Sequence, residues 1–229
     1  MENDIYRHEY KYLISYGQLK MLQNRLDGLM PVDPHCGPDG MYNISSLYFD
    51  DYYNSGFYDN LSGADPREKY RIRIYNHSDE RISLECKRKE NGKTLKKACV
   101  ISKDQCETMM RGGVIPITAE TPKVLKATML KVLNQGLHPV VIVEYDRIPY
   151  VYRNGNVRVT LDMNMSSSSY TQDFLDNKAP KRPIMEKGNH LLEVKFDEYI
   201  PDFIFRALQL DNLEQTAYSK YFLCRKYSL

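Results

Sequence analysis

The sequence predicts an α+β fold, a closed eight-stranded antiparallel β-barrel with helices packed outside it. Three observations carry that expectation. Strand-like segments follow one another near 6–14, 41–50, 67–76, 81–90, 93–101, 139–153, 156–166 and 190–197, a number that can close into a small barrel. Polar turns join several of them, among them "ENGK" at 90–93 and "RNGN" at 153–156, where Asn154-Gly155 sits between two alternating runs. Stretches with helical apolar stripes interrupt the strands and need a surface to pack on. No repeat, linker or composition break divides the 229 residues, so one domain over 1–229 is expected.

The elements follow in order. "RHEYKYLI", residues 7–14, puts Arg7, Glu9 and Lys11 on one strand face and His8, Tyr10, Tyr12 and Ile14 on the other. Ser15 caps the helix that follows, with Leu19, Leu22, Leu26 and Leu29 as its stripe. "REKYRIRIY" sets Lys69, Arg71 and Arg73 opposite Tyr70, Ile72 and Ile74, and after the "NHSDE" turn "SLECKRK" sets Glu85, Lys87 and Lys89 opposite Leu84 and Cys86. In the strand at 93–101 either Lys96 or Lys97 faces with these charges. Ser102 caps "KDQCETMMRGG", which Gly112-Gly113 ends, and Pro122 opens a helix that repeats Val124, Leu125, Met129, Val132 and Leu133. "VEYDRIPY" supplies Arg147. "VRVTLDM" sets Arg158, Thr160 and Asp162 opposite Val157, Val159 and Leu161, and "LLEVKFD" sets Glu193, Lys195 and Asp197 opposite Leu192, Val194 and Phe196. "DFIFRALQL" and "YSKYFLCRKY" read as short helices.

Composition narrows the function classes. The 32 basic and 30 acidic residues nearly balance, so any positive field must come from local segregation. Five scattered cysteines with no CxxC pair give neither a metal motif nor a disulfide framework, and point to a reducing, cytoplasmic setting. No apolar run approaches a membrane span and "MENDIYRHEY" lacks a leader's apolar core. Nucleic-acid binding is a poor fit, because no aromatic stacking motif interleaves with a basic surface.

One charged strand face alone is most simply a wet face. Here at least six strands repeat the pattern, their charged faces dominated by Lys and Arg. If the helices cover the apolar faces from outside, the charged faces line the inside. Clustered cations in such an enclosure are costly without an anion, and a Lys/Arg-lined tunnel suits a linear chain of phosphates. Glu9 and Glu193 would be expensive beside phosphate unless Mg²⁺ or Mn²⁺ sat between.

Together "RHEYKY", "SLYFD" (46–50), "KYRIRIY" (69–75), "LECKRK" (84–89), "VRVTLD" (157–162), "LLEVK" (191–195) and "YSKY" (218–221) resemble the VTC domain, the polyphosphate polymerase domain of the triphosphate tunnel, CYTH-like superfamily. The resemblance runs from about residue 5 to 226, and its motifs stand in the family's order. It implies an eight-stranded tunnel that binds triphosphate or polyphosphate with Mn²⁺ or Mg²⁺. It implies that Lys11, Arg71, Arg73, Lys87, Arg147, Arg158, Lys195 and Lys220 grip phosphates, and that Glu193, helped by Glu9, binds the metal. Tunnel triphosphatases carry E-x-E-x-K in the first strand; Arg7 replaces the first Glu here, one carboxylate fewer and one cation more, which favours a polymerase. With no helical domain or membrane segment in the sequence, the expected relative is a stand-alone bacterial one.

The expected activity is transfer of the γ-phosphoryl group of ATP or another NTP onto growing polyphosphate, a reaction that needs positioning more than a protein nucleophile. The alternatives are a triphosphatase or NTP hydrolase on the same site, and a polyphosphate-binding module without turnover. Glu85 and Asp162 are expected to neutralise neighbouring Arg or Lys. Lys178, Lys181 and Arg182 lie in an expected surface loop at 176–190, where they could steer anions inward.

Overall fold

A computed structural model describes residues 5–210 and 213–227; the first four residues, part of the segment read for a leader, lie outside it. The order along the chain is β1 (His8–Ser15), α1 (Tyr16–Asp27), β2 (Tyr42–Asp50), α2 (Ser55–Ser62), β3 (Arg67–Tyr75), β4 (Ser78–Glu90), β5 (Lys93–Ile101), α3 (Lys103–Met110), α4 (Lys123–Gln135), β6 (His138–Tyr152), β7 (Val157–Ser168), β8 (Arg182–Pro183), β9 (Asn189–Phe196), α5 (Asp202–Leu208) and α6 (Lys220–Lys226). Eight strands pair antiparallel in the order β1-β9-β7-β6-β2-β3-β4-β5, with the short β8 added on β7. Among the described residues no helix is long and apolar enough to cross a membrane.

The sheet curls but does not close, which corrects the closed barrel expected from the sequence. Its edges β1 and β5 meet at one bridge, Arg7 N–Thr94 O 2.9 Å and Thr94 N–Arg7 O 3.0 Å. Past that bridge the free edge of β1 is already taken. Gln215 bridges Tyr12, and Thr216 N donates to Lys11 O at 2.8 Å. A strand edge has one row of backbone groups to offer, and the C-terminal segment satisfies it in place of β5. The result is an open half-barrel with a strip of C-terminal chain in its gap.

Period-two alternation separates the two faces as expected. On the convex side α1 lays Leu19, Leu22 and Leu26 over Val159, Leu161, Leu192 and Val194, while α3 and α4 lay Cys106, Met109, Leu125 and Met129 over Ile72, Ile74 and Leu84. Each such aliphatic side chain contributes about 1.5–3 kcal/mol by leaving water. Ser15 and Ser102 each form a capping box, with Gln18 and Gln105. Two stripe positions differ from expectation: α1 ends before Leu29, which is exposed while Met30 is buried, and Leu133 faces solvent.

Not every helix lies outside. The inward faces of β2 and β6 carry apolar residues at one end, Ile44, Val141 and Val143, and Tyr221 and Cys224 of α6 pack against them. Helix α2, which has no apolar stripe to announce it, is held by Asp50 of the "SLYFD" stretch. The Asp50 carboxylate accepts from Gly56 N at 2.8 Å, from Phe57 N at 3.1 Å and from the Tyr221 hydroxyl, and so ties α2 to α6.

Asn91-Gly92 turns β4 into β5 with positive φ at both residues, as the sequence suggests. The β6–β7 connection is longer than a two-residue turn. There Gly155 has φ +74°, and a Cβ would stand 2.6 Å from Tyr199 O. Gly155→Ala is therefore expected to lower stability by roughly 1–3 kcal/mol in urea unfolding; an unchanged midpoint would contradict this close approach.

Candidate phosphate-binding cavity

The concave face holds a cavity of about 300 Å³. Its walls come from the inward residues of β1, β3, β4, β6 and β9, closed over by the 215–221 segment. Ten cations line it: Lys11, Arg67, Lys69, Arg71, Arg73, Lys87, Lys89, Arg147, Lys195 and Lys220. Glu9 and Glu193 share the lining, and Glu85 and Asp162 stand buried behind it.

Sheet register sets the pairs, because residues directly opposite share a face. Arg147 faces Asp162, Arg71 faces Glu85 and Lys11 faces Glu193. Arg147 forks onto Asp162 (Nε–Oδ1 2.6 Å, Nη2–Oδ2 2.8 Å) and reaches Glu193 Oε2 at 3.2 Å. Lys220, the first residue of α6, reaches Asp162 Oδ2 at 2.6 Å and lies 4.8 Å from the centre of the Tyr145 ring. Arg71 forks onto Glu85 and donates to the Tyr48 hydroxyl at 2.8 Å. Arg73 donates to Ser46 Oγ (3.2 Å) and the Tyr145 hydroxyl (3.3 Å), so two of the many tyrosines place their polar ends inside. Lys87 Nζ sits 2.7 Å from both Glu9 oxygens, and Lys11 lies between Glu9 (2.8 Å) and Glu193 (3.6 Å). Lys195 reaches Glu193 at 3.1 Å.

The titration shifts follow this network. Burial pushes the Glu9 carboxyl up, but the Lys11 and Lys87 ammoniums outweigh it and hold it well below the usual carboxylate range. Glu85, between Arg71 and Arg73, Asp162, between Arg147 and Lys220, and Glu193, beside Lys195 and Lys220, are lowered against burial in the same way. All four are ionised near neutrality. Lys87 is pushed down to about 8 by burial and by neighbouring Lys11 and Lys195, despite Glu9. Lys69 goes well below its ordinary value, through burial and the charges of Lys87, Lys11 and Arg67.

The cavity thus gathers Glu9, Lys11, Arg71, Arg73, Lys87, Arg147, Glu193, Lys195 and Lys220. Arg158 is not among its lining residues. Its guanidinium binds the Asp33 carboxylate and the Tyr42 hydroxyl (3.1 Å). Arg7 also adds no charge to the lining, since it pairs with Asp197 (2.7 Å) and donates to Asn156 O. Lys96 lies opposite Lys87 and reaches Glu85 at 3.3 Å, so of the two lysines it is the one on the charged face. Lys181 of the 176–190 loop is engaged by Glu144 at 2.7 Å. Sequence reasoning left Arg67, Lys69 and Lys89 out of the site, although they continue the two-residue spacing of Arg71 and Arg73 on one strand and of Lys87 on the next.

A curled antiparallel sheet with a cationic concave face is the architecture of triphosphate tunnel proteins. Among solved structures, the candidate adenylyl cyclase HpAC1 from Hippeastrum, described with a dominant triphosphatase activity, aligns at TM-score 0.56 and 14% identity over 98% of this chain and 97% of its own. A candidate adenylate cyclase from Bacillus halodurans aligns at TM-score 0.50 and 15% identity over 89% and 87%. At such identities the likeness establishes the fold. No curated protein matches the sequence. The chain belongs to the VTC domain family, whose model matches residues 6–229.

The Arg147–Asp162–Lys220 cluster should be the least replaceable part of the site. Asp162→Asn leaves two buried cations short of their counterion, and about 3–5 kcal/mol should be lost in urea unfolding. A loss under about 1 kcal/mol would show that the cluster does not hold α6 to the sheet.

Proposed function

We propose that the chain, as one tunnel domain, is a metal-dependent polyphosphate polymerase that moves the γ-phosphoryl group of ATP or another NTP onto a growing polyphosphate. The observation that carries this reading is the charge imbalance of the cavity, ten lining cations against two lining carboxylates and two more behind them. A surplus of that kind favours a bound polyanion, and forked guanidiniums match phosphate oxygens.

Arg71, Arg73 and Arg147 are held by Glu85 and Asp162 at fixed angles, so they meet a phosphate already oriented. Lys11, Lys87, Lys195 and Lys220 add mobile point charges around it. Arg158, bound to Asp33, stays outside this grip. The four carboxylates also bear on the choice of acceptor. Each is ionised and engaged by cations, so none is poised as a general base for water. A phosphate chain end is already an anion and needs no such base, which favours transfer over hydrolysis.

The donor set fits a hard divalent ion only in part. Among the described residues no group of three or more His, Cys, Asp or Glu could hold a metal. Glu9 and Glu193 converge on Lys11 from two strands, two oxygen donors that suit Mg²⁺ or Mn²⁺ when phosphate oxygens and water complete the shell. Glu193, with Glu9, would hold the ion. When bound it would supply positive charge that neutralises the phosphates.

Incubation with ATP and Mn²⁺, followed by gel analysis and a phosphate-release assay, tests the reading. Long phosphate chains are expected; orthophosphate would indicate a triphosphatase, and bound ligand without product a binding module. Glu193→Gln should lower turnover by about 100-fold or more while the protein still binds tripolyphosphate. Unchanged turnover would remove Glu193 from the metal assignment.

A further inference from the structure

Hydroxyls of the cavity wall meet two kinds of cation. Those of Tyr48 and Tyr145 accept from the guanidiniums of Arg71 and Arg73. Ser219 Oγ stands 2.8 Å from an amine, Lys69 Nζ. A guanidinium keeps its protons throughout the working pH range, whereas an ammonium can give one up. Ser219 and Lys69 both line the cavity, where the phosphates of a bound NTP would lie.

Distant pieces of chain bring the two together. Lys69 stands on the inward row of β3, opposite Lys87 of β4. Ser219 arrives on the C-terminal strip that Thr216 fastens to Lys11 O. Its Oγ accepts from Phe222 N at 3.2 Å, which holds the side chain and leaves its proton free to be donated. Asn60 Oδ1 of α2 accepts from Lys69 Nζ, and the Tyr221 ring of α6 lies 5.4 Å away, so two more elements hold the amine. The charges that face it are Lys87 from β4, Lys11 and Glu9 from β1, and Arg67 from β3. Burial and the three cations hold Lys69 well below its ordinary value, against the pull of Glu9. An uncharged amine has a lone pair, and at this distance from a hydroxyl it can take that hydroxyl's proton.

We propose that Ser219 is a site of self-phosphorylation, with Lys69 as the base that activates its hydroxyl. The proposal rests on the reading that the cavity takes an NTP by its phosphates, and adds a protein acceptor to it. Ser219 Oγ attacks the γ-phosphorus. The Oγ–P bond forms as the bond from that phosphorus to the β,γ-bridging oxygen breaks, and the electron pair leaves with the nucleoside diphosphate. The hydroxyl proton passes to Lys69 Nζ, whose new charge pairs with the phosphoserine. A serine phosphate ester is stable in water, so the mark stays on the chain.

Intact-mass spectrometry and peptide mapping of the full chain, after incubation with ATP and Mn²⁺, test the site. One added phosphoryl group is expected, on Ser219. Ser219→Asn keeps a good helix cap without a hydroxyl, so it should take up none while melting close to the wild type. Lys69→Arg keeps a cation and removes the base. Its labelling should slow about 100-fold or more while it still binds tripolyphosphate. The wild-type rate should rise with pH as Lys69 loses its proton, and the variant should lack that rise. No phosphoryl group on the wild type, a group on another residue, label retained by Ser219→Asn, or a wild-type rate and pH profile in Lys69→Arg would each overturn the proposal. If the wild type also fails to bind tripolyphosphate, the phosphate reading of the cavity fails as well; if it binds tripolyphosphate and Ser219 stays unmodified, self-phosphorylation alone fails.

Discussion

Four carboxylates, half-buried Glu9 and buried Glu85, Asp162 and Glu193, hold together a concave face lined by ten basic side chains. Most of the site follows from that constraint. Each carboxylate comes from a different strand, β1, β4, β7 and β9, and each engages cations from other strands or from α6. The ion pairs therefore act across the sheet as well as within a strand. Desolvation offsets much of the attraction within each buried pair, but losing one partner strands a buried charge. The surplus of cations among the lining residues favours a bound anion.

The C-terminal segment keeps the barrel open. A fully closed sheet would have to bring β5 along the whole of β1, whose edge the C-terminal segment occupies. Instead the edges touch once at Arg7 and Thr94, and a segment with Gln215 and Thr216 lies against β1. That segment leads into Ser219 and Lys220, so the strip that fills the gap also delivers the cation that reaches Asp162. Closure and charge placement are solved by one piece of chain.

Much of this was legible in the sequence because strand alternation is local. Glu9 and Lys11, Arg71 and Arg73, or Glu193 and Lys195 stand two residues apart, and two-residue spacing places them on one face whatever the tertiary contacts. Ser15 and Ser102 were readable for the same reason, as a cap needs only the next three residues. What depended on distant partners was not readable. Arg158 carries the spacing of a phosphate ligand, but Asp33, 125 residues away, takes its guanidinium, and Arg7 is taken by Asp197, 190 residues away. The C-terminal helix shows the same apolar pattern whether it packs inside or outside; only the apolar inward ends of β2 and β6 decide that α6 goes in. Lys69 had the right spacing, yet nothing local shows that its hydrogen-bond partners among the described residues are the neutral oxygens of Asn60 and Ser219.

The central claim is that the concave face is an anion site built for linked phosphates. Thermal unfolding of the intact protein in tripolyphosphate, compared with orthophosphate and sodium chloride at matched ionic strength, tests it most directly. A ligand that binds only the folded state raises stability with the logarithm of its concentration. The account predicts a melting temperature that climbs steadily with tripolyphosphate and stays near its starting value in the two controls. Equal behaviour in all three solutions would contradict it.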